Sequence, residues 1–201
     1  MGRRSMIVLV GLALLGVGSC AATDFKSTWK DPQAGPVELQ GKRMATFAVS
    51  KNQGMARAAE DAMASALAKQ GVQAIPGYQL APGGETDTAV LKEKLQAANI
   101  DAAVVMRVVG RREEVDYVPT GPTYGSFYGY WDYGWGAVGE PGYLTTDEIV
   151  SVETLVYSVP ENKLIWAGVS ETFDPGKVDK VTKEIMKEAT KEMKKDGLIG
   201  H

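Results

Sequence analysis

The sequence contains little of what most catalytic sites need. Its 201 residues include one cysteine, Cys20, and one histidine, His201, which is the last residue. Without another imidazole or thiol, the chain cannot assemble a Ser-His-Asp or Cys-His nucleophilic site. A zinc site would have to consist almost wholly of carboxylates, which is unusual. We therefore expect no metal, no cofactor and no catalytic residues.

Two further recognition chemistries are missing from the sequence. Residues 49–54, which follow the first predicted strand, read VSKNQG and have neither the Walker nor the dinucleotide-binding spacing of glycines. The formal net charge is −3, whereas nucleic-acid binding requires a basic face. The sequence predicts neither a phosphate-binding loop nor a nucleic-acid partner.

The first twenty residues have the pattern of a secretory signal peptide. Arg3 and Arg4 precede an apolar run at residues 6–15, which is shorter than the about 20 residues that a membrane-spanning helix needs. The run ends in Val-Gly-Ser-Cys, which resembles the bacterial lipobox, and Cys20 is the residue that such a motif acylates. An ordinary signal peptide that happens to contain a cysteine is the alternative. We predict a lipoprotein signal peptide at residues 1–19 and acyl chains such as palmitate on Cys20.

The residue after the cysteine bears on the location. An aspartate there would resemble the inner-membrane retention signal of enteric bacteria, and the chain has Ala21 instead. We therefore predict a protein of the cell envelope that is anchored by lipid in the outer membrane and faces the periplasm. The membrane would be its first partner, because two or three acyl chains give stable anchoring.

The rest of the chain divides into a tether and one domain. Residues 20–41 are polar, contain two prolines and show no sustained period, so we expect a lipidated N-terminus and a tether. Residues 42–201 contain one succession of strand and helix patterns without an internal repeat. This succession predicts a single α/β domain.

The first half of the domain has the order strand, helix, strand, helix, strand. Ser50 and Gln53 match a capping box, so the first helix is expected to begin near Asn52, and Asp87 can cap the second helix. A βαβαβ order predicts neighbouring parallel strands joined by right-handed crossovers.

The second half ends in a hairpin and a helix. A turn at residues 160–163 joins two strand patterns, and Asp174 with Pro175 predicts the cap of a helix that ends at Gly197. The domain should therefore have a mixed, five-stranded sheet.

Between the two halves lies an aromatic, glycine-rich segment, for which we predict a loop at residues 117–146. Nine of the sixteen aromatic residues of the chain fall between Tyr117 and Tyr143, among seven glycines and three prolines. Glycine is unfavourable within strands, and a loop this long is usually functional or disordered. Our candidate partner-binding or ligand-binding residues are the rings of Tyr124, Phe127, Tyr128, Tyr130, Trp131, Tyr133 and Trp135.

Three interpretations of this segment remain open. The rings could cover an exposed part of the sheet, they could form a surface that recognises a protein or a glycan, or they could lie among lipid headgroups. At the base of the loop, Arg111 and Arg112 could bind an anion, but we expect them to pair with Glu113, Glu114 or Asp116.

Several short motifs together resemble a family of bacterial envelope lipoproteins of unknown function, and the similarity covers nearly the whole mature chain. More loosely, the βαβαβ part is similar to the α/β accessory domain at the N-terminus of TolB. The resemblance implies an α/β fold, an envelope location and an interaction module, and it implies no catalytic residue. The motifs are residues 29–32 (WKDP), Arg57, Glu60 with Asp61, the aromatic loop, residues 164–168 (LIWAG) and residues 170–175 (SETFDP).

These observations lead to one functional hypothesis and two rivals. We predict a non-enzymatic binding or assembly-accessory lipoprotein that contacts an envelope protein or glycan through the aromatic segment. The first rival is a periplasmic carbohydrate-active enzyme that uses carboxylates at the loop base, such as Glu114 and Asp147, since glycosidases need only two acids. The second rival is a purely structural envelope lipoprotein.

Overall fold

A mixed sheet of six strands, with helices on both of its faces, forms the described part of the chain. The computed structural model describes residues 22–38, 40–82, 87–118 and 143–199. The strands are β1 (Thr23–Lys30), β2 (Arg43–Val49), β3 (Gln73–Pro76), β4 (Ala102–Val118), β5 (Tyr143–Ser158) and β6 (Lys163–Phe173). The helices are α1 (Gln53–Ala68), α2 (Gly77–Leu80), α3 (Thr88–Ala97) and α4 (Val178–Lys195).

The strands lie in the order β1-β6-β5-β4-β2-β3. β2 runs parallel to both β3 and β4, as the βαβαβ pattern predicted. β4, β5, β6 and β1 pair with one another in antiparallel fashion. The α/β class is confirmed, but the prediction of five strands was wrong by one strand.

The additional strand, β1, comes from residues that we expected to form the tether. It pairs with β6 along its whole length, from Thr23 opposite Thr172 to Lys30 opposite Trp166. A shift of register between Phe25 and Ser27 breaks the two-residue alternation, so the sequence shows no clear strand period there. The domain therefore begins almost directly after Cys20, and not at residue 42.

The helix starts follow local side-chain caps. The Asn52 side chain accepts a hydrogen bond from the Met55 amide at 3.1 Å, and the Asp87 side chain accepts one from the Ala89 amide at 2.8 Å. These contacts confirm the predicted start of α1 near Asn52 and the predicted cap of α3. The predicted capping box of Ser50 and Gln53 was wrong, because the N-cap is Asn52 and the Ser50 hydroxyl accepts a hydrogen bond from the Asn52 amide instead.

The start of α4 differs from the prediction. Its N-cap is Lys177, so Asp174 lies before the helix, with a positive φ of 46°. The Asp174 side chain instead accepts a hydrogen bond from the Glu148 amide, and the Asp174 amide donates to the Glu148 carbonyl. These bonds to β5 hold the turn that leads into α4. The predicted end at Gly197 is confirmed, with a φ of 69°.

The two faces of the sheet carry separate cores. Helices α1 and α4 pack on each other and on one face, around the fully buried Trp166 and side chains such as Met63, Ile185 and Met186. On the other face, Leu95 of α3 packs with Ala45 and Ile100 beside β2. Apolar side chains at helical spacing fill both cores, as expected for helices that bury one stripe.

The hairpin of β4 and β5 is longer than the rest of the sheet. The two strands pair from Ala102 opposite Ser158 to Val118 opposite Tyr143, whereas β6 ends at Phe173, opposite Ile149. Residues 113–118 and 143–148 therefore pair with each other alone among the described strands, and we call them the hairpin arm. Of the segment 117–146, which we predicted to be a loop, the first two and the last four residues belong to these strands, and residues 119–142 lie outside the described residues.

Candidate functional site

The candidate site lies at one end of the sheet, which we call the upper end. Here β1 begins at Thr23, β2 and β6 finish, and the hairpin arm extends beyond them. The hydroxyl oxygens of Thr23 and Thr172 lie 2.9 Å apart and join β1 to β6 at this end. The opposite end, where β2 and β4 begin, is the lower end.

Both groups of sequence-predicted site residues lie outside the described residues. These are Cys20 and the seven aromatic side chains between Tyr124 and Trp135. The structure does place their nearest described neighbours. Ala22 leads into β1 at the upper end, and residues 118 and 143 end the hairpin arm, which leaves from the same end. Two features that are about a hundred positions apart in the sequence therefore attach to one end of the domain.

Exposed apolar side chains are concentrated at the upper end. Of the large hydrophobic side chains that the described residues expose, only Trp29 is near the lower end. Val115 on the hairpin arm is 58% exposed and Val49 at the end of β2 is 59% exposed. Scattered exposed valines are normal, but a cluster at one end is typical of a contact surface. The other members of the cluster are Met55, Val108 and Val109.

An apolar groove opens beside these side chains, between the starts of α1 and α4. Its volume is 260 Å³, and Met106 and Val150 of the sheet form part of its floor. Ala59 of α1 and Ile185 of α4 line its walls. The groove therefore continues the exposed apolar cluster down to the core between the two helices.

Two arginines at the upper end form ion pairs with neighbouring strands. Arg111 donates to Glu148 of β5 at 3.1 Å, and Arg112 makes two hydrogen bonds to Glu171 of β6, one of them at 3.0 Å. The bonds to Arg112 lower the pKa of Glu171, and the same bonds raise the pKa of Arg112.

We expected these arginines to pair with acids of their own strand. Among the described residues, their hydrogen-bond partners are instead acids of β5 and β6, so this expectation was wrong. Glu113 follows Arg112 directly, and adjacent strand residues point to opposite faces. Side chains that point to the same face from neighbouring strands lie closer to each other. Cross-strand residues are therefore the partners of both arginines.

The carboxylates proposed for the enzyme alternative lie on the hairpin arm. Glu114 is opposite Asp147 and Glu113 is opposite Glu148 in the register of β4 and β5. Glu113 and Glu114 are exposed. Each pair therefore consists of two acids on neighbouring strands of the arm. In the described ranges, no three His, Cys, Asp or Glu side chains are grouped to hold a metal ion.

A second cavity, of 340 Å³, lies at the lower end. Its apolar lining includes Leu67 and Met193, and charged side chains surround its opening. Asp31 pairs with Lys163 at 2.5 Å, and Asp101 pairs with Lys42 at 3.3 Å. Glu161 also lines the cavity, so its charged side chains are three carboxylates and two lysines. Its lining comes from many separate parts of the chain, which explains why no sequence motif indicated it.

The pKa values of both rim aspartates are lowered. For Asp31 the main cause is the hydrogen bond from Lys163, followed by the bond from the Gln33 amide. For Asp101 the main cause is the hydrogen bond from the Arg43 amide. Both carboxylates thus hold chain segments together in their charged form.

The motif of Arg57, Glu60 and Asp61 contains a buried carboxylate, that of Glu60. Glu60 of α1 accepts hydrogen bonds from the Ala48 amide at 3.1 Å and from the Tyr78 amide at 2.8 Å. Asp61 accepts a bond from the Tyr78 hydroxyl at 2.9 Å, and Arg57 lies over the Tyr78 ring, 5.5 Å from its centre. These residues join α1 to the end of β2 and to α2, which is a structural role.

Comparisons with known proteins show no family for this chain. The sequence matches no established family profile. No curated protein is significantly similar to it.

Three solved bacterial proteins align with much of this chain at low identity and with TM-scores below 0.5. The PelC dodecamer from Paraburkholderia phytofirmans is 12% identical over 83% of this chain and 94% of its own, with a TM-score of 0.46. The lipoprotein GNA1162 from Neisseria meningitidis is 12% identical over 77% and 99%, with a TM-score of 0.41. A minor lipoprotein from Acinetobacter baumannii is 9% identical over 79% and 96%, with a TM-score of 0.33. Similarities this low assign neither a family nor a function to this chain.

Within the described ranges, no helix is both long enough and apolar enough to cross a membrane.

Proposed function

We propose that this protein is an outer-membrane lipoprotein that faces the periplasm and acts as a non-enzymatic binding or assembly-accessory module. The observation that carries the proposal is the shared position of two chain segments. The chain that follows Cys20 enters the domain at the upper end, and the strands that flank the aromatic segment leave from that same end. The anchor and the contact segment would then act at one side of the domain.

The aromatic segment is the proposed contact surface for an envelope protein or a glycan. Tyrosine and tryptophan rings give a large contact area at low entropic cost, and planar rings stack on sugars. The core of the described domain is complete around Trp166 and the packed helices. We therefore expect that the rings at 124–135 are not needed for stability.

The test is a co-purification from native membranes in mild detergent. The intact protein is compared with a variant in which Tyr128, Trp131 and Trp135 are replaced by alanine. The matched control is Trp29→Ala, which removes an exposed tryptophan at the lower end. We expect one identified protein or glycan to be lost from the triple variant and retained by the control, with an unchanged melting temperature. A triple variant that keeps every partner, or that only melts earlier, would contradict the proposal.

Acylation is tested separately. Cys20→Ser should leave the signal peptide uncleaved and the protein without acyl chains, as shown by the intact mass. A wild-type protein that is cleaved but carries no lipid would rule out the anchored form.

A further inference from the structure

The link between the anchor and the domain is short compared with the hairpin arm. This inference rests on the proposed acylation of Cys20. Thr23 is the third residue after Cys20, and these three steps along the chain span at most about 11 Å when fully extended. By the register of the sheet, Thr23 is level with Arg111, through Thr172 and Val150.

The arm extends farther in the same direction than the link can. Seven residues lead from Arg111 to Val118, the last residue of β4, and at the rise of an antiparallel strand they cover about 24 Å. Even with the link fully extended, an upright domain would place the end of its arm about 13 Å beyond the level of Cys20. The anchored domain therefore cannot keep its arm away from the membrane, and the arm enters the headgroup layer or tilts along it.

The side chains at this end fit such a contact. Val115 of the arm is 58% exposed, whereas the exposed Val49 and Val108 and the 260 Å³ groove lie at the base of the arm, farther from the membrane. A lipid anchor holds this surface at high effective concentration near the bilayer, so that weak apolar contacts suffice.

The charges at this end define which lipid surface is suitable. Arg111 and Arg112 are already paired with Glu148 and Glu171. The arm also carries Glu113 and Glu114, which would be repelled by anionic lipid. The contact is therefore apolar and suits headgroups without net charge.

We propose that the upper end of the domain lies against the surface of the membrane that holds the Cys20 acyl chains, with Val115 in the headgroup layer of neutral phospholipids. The lower end, with its 340 Å³ cavity, then faces away from that membrane and is accessible from the periplasm. The anchor thus sets the orientation of the domain as well as its location.

The chain offers a direct test, because the thiol of Cys20 is consumed by acylation and the sequence contains no other cysteine. Val115→Cys and Glu161→Cys each introduce one thiol, at the upper end and at the exposed turn of the lower end. The acylated full-length proteins are labelled with an environment-sensitive fluorophore and reconstituted into phosphatidylcholine vesicles, with and without spin-labelled lipid as a quencher. The intact mass of each preparation records acylation.

We expect a blue shift and a loss of fluorescence to the quencher at position 115, and neither of them at position 161. Equal quenching at the two positions in protein that carries its acyl chains would overturn the proposed orientation and leave the lipoprotein function standing. A purified protein without acyl chains would overturn the proposed function, and the orientation with it. Replacing part of the phosphatidylcholine by anionic lipid should not increase the quenching, and a strong increase would contradict the apolar contact.

Discussion

Trp166 is the residue on which the packing of the antiparallel half depends. Its ring is fully buried, lies 5.8 Å from the ring of Phe25 on β1, and donates a hydrogen bond from Nε1 to Asp196 at 2.9 Å. A tryptophan that is buried in this way needs a partner for its N–H group, and Asp196 at the end of α4 provides it. The motif at residues 164–168 therefore has a structural explanation, namely the contact between β1, β6 and α4.

Gly168 completes this arrangement, and its replacement is the first prediction. A Cβ at this position would lie 2.5 Å from the Trp166 ring and 2.6 Å from the Phe25 ring. Gly168→Ala should therefore lower the free energy of unfolding by about 1–3 kcal/mol, as overpacking of a core does. Chemical denaturation measures the loss. Gly176→Ala is the matched control, because nothing lies within 4 Å of its Cβ. Equal stability of the two variants would contradict the described packing.

Contacts between residues close in sequence were predictable, and those between distant residues were not. Asp87 caps α3 through an amide two positions away, and Gly197 ends α4 with a positive φ. Both patterns depend on a few neighbouring residues. Glu60, in contrast, bonds to Ala48 and Tyr78, which are 12 and 18 positions away. Only the fold brings these groups together.

At the scale of elements, β1 makes the N-terminal described residues part of the sheet. The strand covers the edge of β6, and the segment after it is held by Asp31, whose side chain contacts Lys163 and the Gln33 amide. With β1 in place, β6 is paired on both sides and β1 is the edge strand of the sheet. Residues 23–30 therefore belong to the sheet and not to a tether.

The second prediction concerns the removal of β1. A chain that begins at residue 41 lacks the Phe25 contact with Trp166 and exposes the edge of β6. The loss of Phe25 burial alone costs about 2 kcal/mol, so the melting temperature should fall by roughly 4–8 °C. Thermal unfolding is compared with that of a chain beginning at residue 22. Identical melting temperatures would show that residues 22–40 act as a tether after all.

The elements missed from sequence have weak or interrupted patterns. β1 is a partly exposed edge strand with a register shift after Phe25, so its hydrophobic alternation is brief. The extension of β4 beyond Gly110 is rich in charged residues, and each strand of the arm has no third strand to pair with. The first part of β4 was predictable because Ala102, Ala103 and Val104 are buried in a continuous apolar sequence.

At the scale of the whole molecule, ion pairs join distant segments at both ends of the sheet. Asp31 and Asp101 bind their lysines at the lower end, and Glu171 of β6 reaches across β5 to Arg112 of β4 at the upper end. In each case hydrogen bonds to the charged carboxylate lower its pKa in the folded protein. These three contributions to stability have the same sign and act in the same range of pH.

The sign of the pH dependence follows from linkage. A carboxyl group with a lowered pKa in the folded state binds fewer protons there than in the unfolded chain. Its contribution is fully present above its ordinary pKa, 3.8 for aspartate and 4.5 for glutamate, and is lost as the pH falls through the lower pKa of the folded state. The protein should therefore lose stability in acid below about pH 4.5.

Glu171→Gln provides the test of this pH dependence. At pH 7 the variant should be less stable than the wild type, because Arg112 loses its charged partner. The difference should shrink as the pH falls below 4.5, since the wild-type carboxylate is then protonated as well. Urea denaturation at a series of pH values measures it, with Glu113→Gln at an exposed position of β4 as the control. The outcome against this prediction is a difference in the free energy of unfolding that is the same in acid as at pH 7. The pair of Glu171 and Arg112 would then not stabilise the fold through its charge.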